Sequence, residues 1–105
     1  MSEISYVLTL QEVTQSVHLT VDTVITIVEH GIVEPRGERP EQWQFEPGML
    51  ATLQRANRLR QDLELDWEAV ALAVSLIDQV QELRRDNRRL RAQLSCLVDA
   101  GAENA

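Results

Sequence analysis

Lysine is absent from this 105-residue chain, and all ten bases are arginine. Cysteine is almost absent too: Cys96 alone cannot build a disulfide framework, which fits a reducing compartment and leads to the expectation of a cytoplasmic protein. No apolar run approaches the ~18 residues that a membrane-spanning helix needs. The opening Met-Ser-Glu-Ile-Ser-Tyr6 has neither a basic n-region nor an apolar h-region, so no secretory signal is expected. Positive charge is scarce: seventeen acids against ten bases leave a net −7. That balance argues against a free-standing nucleic-acid binder, because a polyanion must meet a surface that neutralises phosphates. Enzyme chemistry is also missing. No glycine-rich phosphate loop, metal-spaced His/Cys cluster or nucleophile–base pair can be assembled, so neither catalysis nor a cofactor or metal is expected. His18 and His30 have no partners at ligand spacing, and Cys96 has no base beside it.

What is present is a 44% apolar content, enough for one small core. The charge is also lopsided. Residues 1–54 hold Arg36 and Arg39 against eight acids, a charge of −6, whereas residues 55–105 come to −1. A surface so acidic is suited to a basic partner.

Along the chain, an apolar lead of Ile4, Tyr6, Val7 and Leu8 precedes Thr9-Leu-Gln-Glu12, a capping box that opens a helix running to about Val17. Thr20 offers a second N-cap with Asp22 in the first turn. Val21, Val24, Ile25 and Val28 recur at helical spacing, and Gly31 is a fitting stop. Two short helices joined by a tight turn make a helix-turn-helix unit. Alternating residues around Ile32–Pro35 and Gln42–Phe45, with Gly37 and Pro40 between, predict a β-hairpin wing. Pro47 suits the start of a third helix with Met49, Leu53, Ala56 and Leu63 on its apolar side. Asp66 caps a fourth, which meets no proline or glycine before Gly101. The expected fold is mainly α: a winged helix-turn-helix domain over 1–65, a long coiled-coil helix over 66–98, and a flexible tail at 99–105. Trp43 and Trp67 read as packing anchors at element junctions.

The long helix carries the most regular pattern in the chain. Leu76, Leu83, Leu90 and Leu97 fall seven apart, as do Ala73, Val80, Asn87 and Leu94 between them. These are d and a positions of a heptad repeat, with one Asn at an a position, a device that fixes register at the expense of stability. The stripe either folds back on the third helix or, the sharper reading, forms a homodimer seam of Leu76, Val80, Leu83, Asn87, Leu90, Leu94 and Leu97. A parallel pair would set Asp86 at g against Arg91 at e; an antiparallel pair would bring like positions together. Orientation stays open on these residues alone. The Arg84-Arg85 and Arg88-Arg89 pairs read as a solvated face balanced in part by Glu82 and Asp86.

Four stretches carry a resemblance: Gly31-Ile-Val-Glu-Pro-Arg36, Trp43-Gln-Phe45, Gln54-Arg-Ala-Asn-Arg-Leu-Arg60 with Leu63-Glu-Leu-Asp-Trp67, and Glu82-Leu-Arg-Arg-Asp-Asn-Arg-Arg-Leu-Arg91. The order of elements resembles the MerR type of winged helix, and nearly the whole chain is similar to the chaperone-modulator CbpM family. The resemblance implies a bacterial, non-enzymatic protein that binds the J-domain of the DnaJ-like co-chaperone CbpA, blocking its stimulation of DnaK and its DNA binding. A MerR-like DNA-binding regulator is the alternative. Aligned on Gly31, the second-helix positions where DNA-binding MerR-like proteins carry Arg-Tyr-Tyr hold Ile25, Thr26 and Ile27. A carboxylate-rich face repels phosphate but suits the basic second helix that J-domains carry as a family trait. The expected partner-binding residues are Asp22, Thr26, Glu29, Glu34, Glu38 and Glu41, with no membrane contact and direct nucleic-acid binding not expected.

Overall fold

The computed structural model describes residues 6–104, with side-chain exposure for 6–101; the expected lead residue Ile4 and the last tail residue Ala105 lie outside the described residues. Among the described residues four α-helices follow one another: α1 Leu10–Val17, α2 Val21–Glu29, α3 Gly48–Leu63 and α4 Trp67–Asn104. Two compact units divide the chain, Met1–Val74 and Ser75–Ala105.

Local chemistry fixes the helix ends. The Thr9 hydroxyl accepts from the Glu12 N–H at 3.2 Å while the Glu12 carboxylate accepts from the Thr9 N–H at 2.9 Å, a reciprocal capping box. Helix α1 ends on His18 in the left-handed region (φ 58°), and Thr20 starts α2 two residues later by accepting from the Thr23 N–H at 3.1 Å. Helix α2 closes in a Schellman arrangement: Gly31 N–H donates to Val28 O at 2.9 Å and Ile32 N–H to Ile27 O at 3.3 Å. Gly31, at φ +74°, takes the left-handed position this ending requires. The Asp66 carboxylate caps α4 by accepting from the Ala69 N–H at 2.8 Å.

The first unit's core draws on every one of these elements. Val13 and Val17 enter from α1, Val24 and Ile27 from α2, Leu53 and Ala56 from α3, and Val70 and Val74 from the first turns of α4. Val33, Trp43 and Phe45 complete it from the segment between α2 and α3, with Phe45 meeting Trp43 edge-on at 6.0 Å. Of the expected apolar residues of α2, Val24 is fully buried, beside the equally buried Ile27, and Ile25 and Val28 are half-buried against the core; Val21 is exposed. Leu63 on α3 is likewise exposed.

The expected β-hairpin wing is not formed. Among the described residues there are only two isolated bridges, Arg36 with Gln44 and Leu8 with Phe45. Each pair exchanges both of its hydrogen bonds, at 3.1 and 2.8 Å and at 2.8 and 2.8 Å. A ladder continuing toward the tip would pair Glu38 with Gln42. Instead Gln42 N–H donates to Arg39 O at 2.8 Å, and Trp43 N–H to Pro40 O at 3.3 Å, forming a 3₁₀ turn over Pro40–Gln42. The other direction would set Glu34 directly against Glu46, a like-charge pair that opposes extension. Gly37 lets the segment turn tightly: its φ is +112°, and a Cβ there would stand 2.5 Å from Gln42 O.

In the second unit, α4 passes through Gly101 to Asn104 rather than stopping before 99–105.

Candidate functional site

Helix α2 contains no base. Asp22, Thr26 and Glu29, spaced by four and three, share one helical face. Asp22 and Glu29 are exposed and Thr26 is half-buried. The Thr26 hydroxyl donates to Asp22 O at 2.8 Å, so its proton is already committed and its oxygen is left as an acceptor. The His30 ring, through Nδ1, lies 2.8 Å from Thr26 O at the end of the same face.

Glu34, Glu38 and Glu41 stand exposed on the segment that follows. The structure does not gather the six residues into one cleft. Glu34 lines a depression of about 500 Å³ with Tyr6, Val7, Arg36, Glu46 and Met49 among its walls. Glu41 lines another of about 540 Å³ that it shares with Val21 at the start of α2 and with Thr9, Leu10, Gln11 and Pro40. Glu38 belongs to neither of these two. Among the described residues the one ion pair is Arg89 with Asp86 at 3.0 Å, so none of the six carries an ion-paired cation. The acids of this surface are therefore hydrated and open to a cation from outside.

Glu46 was not among the expected residues, yet it faces the same depression as Glu34. The signal lay in the register: Glu34 is two residues before Arg36, and Glu46 two after Gln44. Only the Arg36–Gln44 pairing makes that visible.

Among the described residues no group of three or more His, Cys, Asp or Glu is placed to hold a metal ion, and no helix is long and apolar enough to cross a membrane.

On α4, every apolar residue of the expected seam is exposed, with Leu76 at 50%, Val80 at 45%, Leu83 at 66%, Leu90 at 58%, Leu94 at 60% and Leu97 at 69%. Asn87 is exposed in their midst. Leu72 and Val98, both 62% exposed, extend the apolar run at either end. Arg84, Asn87, Arg88 and Arg91 line a shallow depression of about 160 Å³ beside the stripe.

The family described as MerR HTH family regulatory protein matches residues 8–92. The chaperone modulatory protein CbpM of Pseudomonas entomophila is 51% identical over 80 residues, or 76% of this chain and 79% of the relative. The Pseudomonas putida GB-1 protein of the same name gives the same figures, 51% over 80 residues with 76% and 79% covered. The CbpM of Escherichia coli O9:H4 is 35% identical over 98 residues, covering 93% of this chain and 97% of the relative. These names denote a regulatory role rather than a catalytic one. With the helix order and the MerR-type match agreeing over most of its length, the chain belongs to the CbpM family of chaperone modulators.

Proposed function

We propose that the chain binds the J-domain of the DnaJ-like co-chaperone CbpA, and so inhibits both its co-chaperone action on DnaK and its DNA binding. The observation that carries this reading is the exposed face of α2, which has no base and holds Asp22 and Glu29 free of ion pairs among the described residues. A cationic helix laid there gains complementary potential at each carboxylate. Glu34, Glu38 and Glu41 widen the acidic field, and the Thr26 hydroxyl oxygen accepts a hydrogen bond. While the modulator holds that helix, the co-chaperone cannot present it to DnaK, and inhibition follows mass action on free co-chaperone. The docking residues fall in 1–65, and the partner would place the protein in the cytoplasm. The long helix α4 is read as the module that joins two copies through its exposed stripe.

Isothermal titration calorimetry of the purified chain with the isolated CbpA J-domain tests the reading. Saturable binding at moderate salt supports it, and no detectable heat at any accessible concentration rejects it.

The MerR-type match over residues 8–92 favours one other reading, a DNA-binding transcriptional regulator. A gel shift with duplex DNA at low salt separates the two. Micromolar binding with a steep salt dependence supports the regulator, and free DNA at all protein concentrations supports the modulator.

A further inference from the structure

Resting on the reading of the α2 face as the docking surface, we propose that the partner's cationic helix also carries an apolar side chain, and that this side chain seats against Val21, Leu10 and Pro40. The seat is the depression where the starts of α1 and α2 meet the 3₁₀ turn. The carboxylates steer the partner in, and the apolar seat holds it.

Val21 is the first residue of α2 and stands 45% exposed. A single valine in water needs no explanation, but this one is not isolated. It walls a depression of about 540 Å³ together with Leu10 and Pro40, both half-buried. Thr9, Gln11 and Glu41 complete the wall, so no base lines it. The Thr9 N–H and hydroxyl oxygen are already engaged with Glu12, at 2.9 and 3.2 Å. Glu41 has no ion-paired cation among the described residues. The depression therefore offers apolar surface beside an open carboxylate.

The seat is continuous with the acidic face. Val21, Ile25 and Val28 recur at spacings of four and three, and they immediately precede Asp22, Thr26 and Glu29 in turn. An apolar line thus runs beside the acidic one, about 100° round the helix. Ile25 and Val28 are half-buried against the core, whereas Val21, at the end of the line, is open. A helix laid along this edge meets a mixed surface. Bases seven residues apart in it match Asp22 and Glu29, which lie about 10.5 Å apart along the axis of α2. An apolar residue on its adjoining line reaches the seat, as in other helix-in-groove contacts. Acids flank that position, since Asp22 follows Val21 and Glu41 shares its depression.

The two parts act differently. Exposed ion pairs are weak and fade with salt, so carboxylates alone give a fast but loose encounter. Apolar burial does not depend on charge, and it slows departure.

The test uses the full chain and the isolated CbpA J-domain, with association and dissociation rates read by biolayer interferometry. Val21→Asp is the deciding variant, because charge and burial predict opposite signs for it. An acid in the first turn of α2 suits the helix dipole, so the fold should be kept, which circular dichroism checks. If charge alone holds the partner, a carboxylate beside Asp22 tightens binding. The expected result is the reverse: binding weaker by about tenfold, mostly through faster dissociation. The loss should persist in ~1 M salt, where the screening length is about 3 Å. Val21→Thr keeps the branched shape and exchanges one methyl for a hydroxyl; it should weaken binding by about fourfold. It also carries the test should Val21→Asp fail to fold. Binding by either folded variant as tight as the native chain's, or tighter, overturns the apolar seat while leaving the acidic docking face standing. If light scattering then shows such a variant to have lost self-association that the native chain has, the seat belongs to a second copy. No binding by the native chain overturns the seat and the docking face together.

Discussion

The guanidinium carbon of Arg60, in the last turn of α3, lies 4.8 Å from the centre of the Trp67 ring at the start of α4. The His30 ring approaches the same indole at 6.5 Å from the end of α2. Three element ends thus meet on one aromatic surface, and Glu64, left-handed at φ 52°, makes the turn that brings α3 into α4. Trp67 is half-buried, so the cation acts across a partly desolvated ring. Arg60→Ala is expected to lower stability by about 0.5–1 kcal/mol. In a domain of this size that corresponds to a fall of about 2–8 °C in Tm by circular dichroism. Arg60→Lys retains part of it, and equal melting of Arg60→Ala and the native chain would show the stacking to be without energetic weight.

The turn at Gly37 answers a similar question about backbone. Alanine there meets Gln42 O at 2.5 Å and inherits a φ of +112°. Gly37→Ala is expected to cost about 1–3 kcal/mol through that strain. Gly101→Ala, where a Cβ meets nothing within 4 Å inside α4, is the contrasting substitution. It should be neutral or stabilising by up to about 1 kcal/mol. Chemical denaturation of the two variants side by side checks the pair.

The caps make the third prediction. Thr20→Ala removes the hydroxyl that accepts from the Thr23 N–H, and Asp66→Ala removes the carboxylate that accepts from the Ala69 N–H. Each should cost about 1 kcal/mol. The two sites start different helices and share no hydrogen bond, so the double variant should show close to the sum. A urea midpoint for the double variant no lower than for either single one would contradict independent capping.

Those caps were legible from sequence because an N-cap acts within four residues. Thr9 with Glu12, Thr20 and Asp66 all hold the positions their spacing announces. The wing was not legible, because alternation in Ile32–Pro35 and Gln42–Phe45 says nothing about competing partners. Gln42 gives its N–H to Arg39, and Phe45 pairs with Leu8, remote in sequence, on the side opposite to Gln44's bond with Arg36. The roll of α2 was legible only in part, since Val24 of the expected face is buried and Val21 is not. Val21, Ile25 and Val28 satisfy helical spacing as well as Val24 and Ile27 do, and only packing against the other elements buries Ile27 and exposes Val21. For the candidate surface, the acids themselves could be read off directly, since unpaired carboxylates stay in water. What could not be read was that Glu46 joins Glu34 across the Arg36–Gln44 bridge while Glu41 sits at a separate depression beside Val21.

That separation makes charge reversal informative about where a basic partner rests. Asp22→Lys with Glu29→Lys reverses the α2 face, and Glu38→Lys with Glu41→Lys reverses part of the following segment; all four positions are exposed, so the fold should survive. Exposed ion pairs contribute about 0.2–1 kcal/mol each, and replacing attraction by repulsion at two sites is expected to weaken J-domain binding by roughly tenfold. The loss should appear mainly in the association rate. It should shrink as salt is raised toward ~1 M, where the screening length falls to about 3 Å. If the α2 pair carries the contact, its reversal has the larger effect at low salt and the variants converge with the native chain at high salt. Unchanged affinity for the α2 pair beside a large loss for the Glu38 and Glu41 pair would move the docking surface to the segment between α2 and α3, and unchanged affinity for both would remove it from the acidic face altogether.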